Sequence, residues 1–402
     1  MFSQRIERAA ASGTQQITAE VDRLRRRGID IVDLGAGEPD FATPQHVKAA
    51  AVAAIADDFT RYTPNTGVRE LREAICGRYA ADYGVAFDPD QVIATAGGKQ
   101  ALFNAAMALY EPGDEVITHA PGWPSIVEQI KLAGAAPVAV RTHAEDGFRL
   151  HAAAVLEAFT PRTKAIVVNS PGNPTGALVA EPDLERIAGE AAARGVWVVL
   201  DLCYEELIYD DAPHNLPRVL LDRLPDRFVV TGSLSKDHAM TGWRCGWAIG
   251  SHAFIQACNT VQGHATSNVS SITQRAAIEA LTGPQECVAA MRNEYRERRD
   301  LLLRLLAAEP RIRCVRPGGA FYLFPDVSEL LSPDGLRTSA DFAQALLRHA
   351  RVAVTPGEAF DAPGFVRLSY AASRDDLDEA ARRIRKFIDA LDHGDVATAT
   401  GS

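Results

Sequence analysis

Seven apolar runs, residues 92–96, 115–119, 137–141, 165–169, 196–200, 228–232 and 246–250, constrain this chain more than any other feature of it. Helical stretches such as 98–109, 123–133 and 181–193 lie between many of them. An apolar strand is buried on both faces, and strands that alternate with helices pair mostly in parallel, with helices covering both faces of the sheet. The expected fold class is therefore α/β, with a seven-stranded mostly parallel sheet in a large domain. In such sheets ligands bind beyond the carboxyl ends of the strands. Gly97, Asn173, Asp201 and Ser233 each come just after a run, so they are the first candidates for a site.

Length adds a second domain, because 402 residues exceed what one core usually holds. Beyond about residue 285 a long charged helix, 288–306, reads as a connector to a smaller α+β domain whose strands lie at 320–324, 352–354 and 365–369. The expected large domain is 43–285. The small domain combines 1–42 with 286–392, and 393–402 reads as a disordered tail. Ile17, Val21 and Leu24 recur at helical spacing, and the basic run 23–27 reads as a solvated helix end. Thr43 and Pro44 look like the cap and first position of another helix.

No apolar run reaches the length of a membrane span, and the first residues lack the apolar core of a signal peptide, so the expected location is cytoplasmic. Six cysteines, at 76, 203, 245, 258, 287 and 314, form no Cys-x-x-Cys pair, which argues against a zinc site and a disulfide framework. A net charge of −10 disfavours nucleic acid as a partner.

Several residues are out of place unless they have partners. Lys236 lies on a loop between two apolar runs. Burial there would depress its pKa and make it a nucleophilic amine able to form an imine with a carbonyl compound, although a solvated loop lysine is the simpler reading. Asp201 ends an apolar strand, where a carboxylate is costly unless paired. Arg367 sits inside another apolar strand, where either a bidentate carboxylate ligand or a structural salt bridge would suit its planar fork. Gly97 and Gly98 join a strand to a helix, and backbone N–H groups there can hold a phosphate, although glycine turns are common at such joins. Gly35 and Gly37 form a turn that lets backbone approach a ligand closely. Taken alone, Trp123 reads more readily as core than as cofactor-facing, Tyr62 as packing and Asn173 as part of a turn.

The sequence from Ser233 through Ser235, Lys236, Met240, Thr241, Gly242, Trp243 and Arg244 to Gly246 resembles the lysine segment of the class I aminotransferases, the fold-type-I pyridoxal phosphate enzymes, and more narrowly a bacterial aspartate aminotransferase branch. The resemblance recurs in order from 34–41 to 366–371, nearly the whole chain. It implies pyridoxal 5'-phosphate bound to Lys236 as an imine, with Asp201 on its ring nitrogen. Asn173 and Tyr204 would meet its phenolic oxygen, and Trp123 would stack on its ring. Gly98, Ser233 and Arg244 would hold its phosphate. It implies that Arg367 holds the substrate α-carboxylate, with Gly37 and Asn173 beside it. For Lys99 two roles stay open, the substrate's distal carboxylate or the cofactor phosphate. Tyr62 would reach the cofactor phosphate of a neighbouring subunit, and the N-terminal arm would cross to that subunit, so the active unit would be a homodimer with shared sites. Ser12, Gly13 and Thr14 fall where relatives keep hydroxyls near the substrate, and the loop 262–268 would approach the partner's site. Two departures stand out. Gly122 replaces a tyrosine common before Trp123, and Leu202 replaces the glutamate common after Asp201.

The implied reaction is reversible amino transfer between an amino acid and an oxo acid, with Lys236 moving the α-proton as base and then acid. Aspartate or glutamate with 2-oxoglutarate is the expected pair. Gly122 and Leu202 leave room for aromatic, prephenate-type or neutral amino acids. The same scaffold also supports lyases and cyclases, and a non-catalytic pyridoxal phosphate-binding regulator is a further alternative.

Overall fold

The computed structural model describes residues 2–10, 13–333 and 335–393. Ser12, the side chain of Thr14 and the tail from residue 394 on lie outside the described residues. The strands in chain order are β1 (Val32–Asp33), β2 (Val92–Thr95), β3 (Glu115–Ala120), β4 (Ala136–Arg141), β5 (Thr163–Asn169), β6 (Trp197–Asp201), β7 (Phe228–Ser233), β8 (Gly246–Gly250), β9 (Tyr322–Leu323), β10 (Val352–Ala353), β11 (Thr355–Pro356) and β12 (Val366–Ser369). Every one of the seven apolar runs is a strand, and together they form one sheet of order β2-β8-β7-β6-β5-β3-β4. Pairing is parallel from β7 through β6, β5 and β3 to β4. Only β8 opposes its neighbours, lying antiparallel to both β2 and β7.

The strands are buried because their side chains alternate between two cores. Val198, Leu200, Phe228 and Val230 point into one, and Val199, Val229 and Ile93 into the other. Of the two edge strands, β2 is buried throughout, whereas in β4 only Val140 is buried. Helices Gly98–Leu109, Pro124–Ala133 and Glu181–Arg194 follow strands as the sequence implies.

A second core gathers Val32 and Leu34 with residues between Met291 and Ile388, and it also takes in Tyr204, Leu207 and Tyr209 from the loop after β6. Helix Glu286–Leu306 buries Val288, Met291, Tyr295, Leu302 and Leu306 on one face. On that face Arg299 is fully buried, and it is paired with Asp210 at 2.8 and 3.1 Å. A buried charge persists only with such a partner. Strands β9, β12 and β11 form a small antiparallel sheet, and β1 pairs in parallel with β10. No helix among the described residues is long and apolar enough to cross a membrane.

One capping expectation fails. The helix runs Gln45–Ala56 with Pro44 at its N-cap, and no side chain caps it. The Thr43 hydroxyl instead donates to the Ala239 carbonyl at 2.7 Å and accepts from Trp243 Nε1 at 3.0 Å. Tertiary partners have claimed it, and it pins the loop that carries Lys236. The basic run after Val21 does behave as a solvated helix end: Val21 and Leu24 are buried while Arg23 and Arg25 to Arg27 are exposed.

Candidate active site

A cavity of about 350 Å³ opens at the carboxyl ends of β5, β6 and β7. One end of it is built by three backbones in contact. Helix Gly98–Leu109 starts there, after Gly97 in the left-handed region at φ +81°. A Cβ on Gly246 would lie 2.5 Å from the Gly98 nitrogen and 2.7 Å from the Gly97 carbonyl carbon, so only glycine allows β8 to pass. Ser233 ends β7 and donates to the Ser235 hydroxyl at 2.7 Å. Arg244 reaches in from φ +58° and is held by the carbonyls of Thr241 (2.8 Å) and Ala96 (3.0 Å). None of its described contacts is a carboxylate. A helix N-terminus, two hydroxyls and an unpaired guanidinium make an anion site.

Asp201 stands in the middle, 2% exposed. Its carboxylate accepts from Asn169 Nδ2 at 3.1 Å, the Cys203 N–H at 3.2 Å and the Thr231 hydroxyl at 3.4 Å. Burial outweighs these donors and lifts the carboxyl to about 6. No cation of the described chain pairs with it. Lys236 Nζ donates to the Gly37 carbonyl at 2.7 Å, and burial lowers its pKa. Tyr204 and Tyr322 join hydroxyl to hydroxyl at 2.8 Å.

Arg367, 3% exposed, closes the opposite end. Nη1 donates to Asn173 Oδ1 at 3.0 Å and Nη2 to the Gly35 carbonyl at 2.8 Å, and Nε has no partner among the described residues. It lies over the rings of Tyr322 and Phe360 and meets no carboxylate among the described residues. Its partners are therefore not those of a structural salt bridge, and a buried arginine so held is prepared for an anion from outside. Lys99 also lines the cavity, with Nζ 5.1 Å from the Trp123 ring centre, and burial lowers its pKa, with Arg244 adding to the effect.

The fold thus brings Gly37, Gly98, Lys99, Trp123, Asn173, Asp201, Tyr204, Ser233, Lys236, Arg244 and Arg367 to one cavity. Tyr62 is not among them and stands 92% exposed. Of the loop 262–268, Gln262 is fully buried in helix His252–Gly263 and donates to the carbonyls of Asn65 and Ala94, while 263–267 are exposed. Leu202 is buried in the sheet-face core and does not line the cavity. At Gly122 a Cβ would lie 2.3 Å from the His119 carbonyl oxygen, so this backbone path leaves no room for a tyrosine.

Asn169, Ser235 and Tyr322 line the cavity as well, and sequence reasoning passed them over. The available signal was polarity inside apolar strings: Asn169 ends β5 and Tyr322 sits among aromatics in β9, and such a group needs a partner when buried. The donor set suits pyridoxal phosphate. The anion end fits its phosphate, the buried Asp201, unpaired among the described residues, a protonated ring nitrogen, and the buried Lys236 amine its carbonyl.

The comparisons agree. The chain matches the family described as "Aminotransferase class I and II" over residues 29–384. It is 42% identical over 389 residues to an aspartate aminotransferase of Geobacillus stearothermophilus, covering 97% of this chain and 99% of the relative. It is also 42% identical to an aspartate/prephenate aminotransferase of Thermus thermophilus, over 96% and 98% of the two chains. The solved Thermus thermophilus aspartate aminotransferase with maleate superposes with a TM-score of 0.91 at 42% identity, over 96% of this chain and 99% of that one. The Rhizobium meliloti aspartate aminotransferase gives 0.92 at 39%, over 97% and 99%.

Proposed function

This chain belongs to the class I and II aminotransferases, and on that premise we propose its substrates and a task for each side chain of the cavity. The enzyme is a transaminase, and the family implies pyridoxal phosphate as cofactor. We assign Gly98, Ser233 and Arg244 to the phosphate, Trp123 to the ring face, Asp201 to the ring nitrogen, and Asn173 and Tyr204 to the phenolic oxygen. When bound, the cofactor supplies a carbonyl for the substrate amine and a ring that takes up the electron pair left when the α-proton departs. Asp201, kept as a carboxylate by a cationic partner, holds a positive charge at that ring. Lys236 Nζ, whose charged form burial disfavours, takes the α-proton and later returns it. Arg367 meets the α-carboxylate edge-on, while Asn173 and the Gly35 carbonyl keep its fork from turning.

We propose aspartate or glutamate as amino donor and 2-oxoglutarate as acceptor. One observation carries this: besides Lys236 and Arg244, which the cofactor would engage, two cations, Lys99 and Arg367, share the cavity and neither pairs with a carboxylate of the described residues. A dicarboxylate satisfies both. The names of the relatives, aspartate and aspartate/prephenate, support the same reading. The test is the visible spectrum of the purified, cofactor-loaded enzyme. Aspartate should bleach the lysine-bound band and 2-oxoglutarate should restore it. A band that ignores aspartate and glutamate but responds to aromatic or neutral amino acids would overturn the dicarboxylate assignment. Product formed without any oxo acid would indicate a lyase or cyclase.

We further propose a homodimer with shared sites. Tyr62, Val52 and Ile55 are large apolar groups left exposed, and Tyr62 would complete the partner's phosphate site. The domain division 43–285 against 1–42 with 286–392, and a reducing cytoplasmic setting for the free thiols, belong to the same reading.

A further inference from the structure

The reaction as assigned gives Tyr322 no task, yet three working groups of the cavity meet at it. Its hydroxyl is 2.8 Å from that of Tyr204. Its ring lies 4.4 Å from the Arg367 guanidinium carbon. A Cβ on Gly37 would come within 3.2 Å of the same hydroxyl, and the Gly37 carbonyl is the acceptor for Lys236. Register accounts for the meeting. Tyr322 of β9 pairs with Ser369 of β12, and Arg367 lies two residues before Ser369 on the same face.

Two phenols that share one contact hold two protons, and only one of these lies between them. The other is free, and which ring carries it decides what the cavity is offered. Neither hydroxyl has a further hydrogen-bond partner among the described residues. Burial pushes both phenols above their ordinary range, so both protons stay. Either hydroxyl can donate in this pair; if Tyr204 gives its own proton to the phenolic oxygen assigned to it, the proton between the rings comes from Tyr322. Tyr204 is then left with its own proton facing the cavity.

We propose that Tyr322 is a positioning residue for transamination: its hydroxyl donates to Tyr204 and aims the Tyr204 proton into the cavity, while its ring is the platform that keeps the Arg367 fork presented to the carboxylate. This rests on the assignments of Tyr204 and Arg367 given above. An accepted hydrogen bond polarises the acceptor's own O–H and strengthens it as a donor. A donor already aimed costs no reorganisation during reaction. A guanidinium over an aromatic face is held by the ring's negative potential. One side chain thereby ties the proton-donating group to the carboxylate-binding group.

Two substitutions separate the parts, both in the full-length, cofactor-loaded enzyme. Tyr322→Phe keeps the platform and removes the hydroxyl. The midpoint of the pH titration of the visible absorption should rise by about half a unit, because a weaker Tyr204 donor leaves more negative charge beside the titrating proton. The dissociation constant for succinate, a dicarboxylate without an amine, should stay within about twofold of the parent's. Tyr322→Leu removes both parts, so succinate binding should weaken about tenfold as well. A Tyr322→Phe midpoint within about 0.1 unit of the parent's, or below it, overturns the hydroxyl's role. Parent-like succinate binding in Tyr322→Leu overturns the platform's role, and if that variant does not fold, Tyr322→Met, which also removes the ring but fills more of its volume, is measured in its place. Were the parent enzyme itself to show no titrating band, the cofactor reading would fall first and this inference with it.

Discussion

Asp201 shows how a residue can declare its task by being in the wrong place. A carboxylate that is 2% exposed and has no cation among the described residues beside it is lifted to about 6 by burial. Its environment is thus complete only when a positive group arrives. Asp201→Asn keeps the shape and removes the charge. We expect kcat to fall by at least about a hundredfold with KM little changed, since the charge is needed where electrons accumulate. Equal loss in KM alone would mean that Asp201 serves binding only. Arg367 permits a second test. Arg367→Lys keeps one charge but not the fork, so KM for the amino donor should rise about ten- to a hundredfold, the worth of a bidentate charged pair, with a smaller effect on kcat. Initial-rate kinetics with aspartate reads both. Lys236, Asp201 and Arg367 were legible in the sequence because each is a charge set against an apolar strand. Tyr322 and Ser235 were not. A tyrosine in an aromatic string and a serine in a turn are ordinary residues there, and their significance arises only from contacts, such as that between Tyr204 and Tyr322 across 118 positions.

At the scale of elements, the anion end of the cavity depends on one strand running against the others. Because β8 lies antiparallel between β2 and β7, its first residue, Gly246, meets the Gly97–Gly98 turn and the end of β7 at once. A methyl group there would stand 2.5 Å from the Gly98 nitrogen and 2.8 Å from the Gly232 carbonyl oxygen. Gly246→Ala must therefore displace the backbone that would face the cofactor phosphate. The expected outcome is a loss of at least about tenfold in pyridoxal phosphate retention, together with a Tm lowered by about 2–5 °C, as for an overpacked core position. Dialysis against phosphate followed by a cofactor assay, with calorimetry, measures both. If only Tm moves, the glycine serves packing alone. All seven strands were visible in the sequence to within two residues at either end, because continuous apolar runs bounded by turns leave little choice. The order of the strands and the reversal of β8 were not visible, since the loop 234–245 is long enough to return the chain in either direction. The start of helix Gln45–Ala56 was misjudged for a related reason. The Thr43 hydroxyl is a good cap locally, but Ala239 and Trp243, nearly 200 positions away, compete for it successfully.

At the scale of the molecule, the two loops that carry Tyr204 and Lys236 are fastened behind the cavity by one buried arginine. Arg78 reaches Glu206 at 3.0 Å and Glu205 at 3.4 Å on the first loop, and Asp237 at 2.9 Å on the second. Its partners differ in protonation. Asp237 is held at about 2, because Arg78 and His238 outweigh the effect of burial. Glu205 is pushed up to about 8 by burial, which neither Arg78 nor the hydrogen bond from the Tyr83 hydroxyl overcomes. In the unfolded chain that carboxyl titrates near 4.5. Between these values the folded protein holds a proton that the unfolded chain has lost, so stability falls as pH rises across the window. Asp237 works in the opposite sense but elsewhere: its contribution is complete above 3.8 and is lost only as pH drops toward 2. Glu205→Gln removes the titration, keeps an acceptor for Tyr83 and leaves Arg78 with Asp237 and Glu206. Thermal unfolding of the parent should therefore shift to lower temperature between about pH 4.5 and 8, and the variant's should shift less. The two should converge only toward about pH 4.5, and the variant should be increasingly the more stable as pH rises toward about 8. Parallel curves would mean that Arg78 keeps Glu205 ionised throughout, in which case the fastening behind the cavity is an ordinary salt-bridge network without a proton of its own.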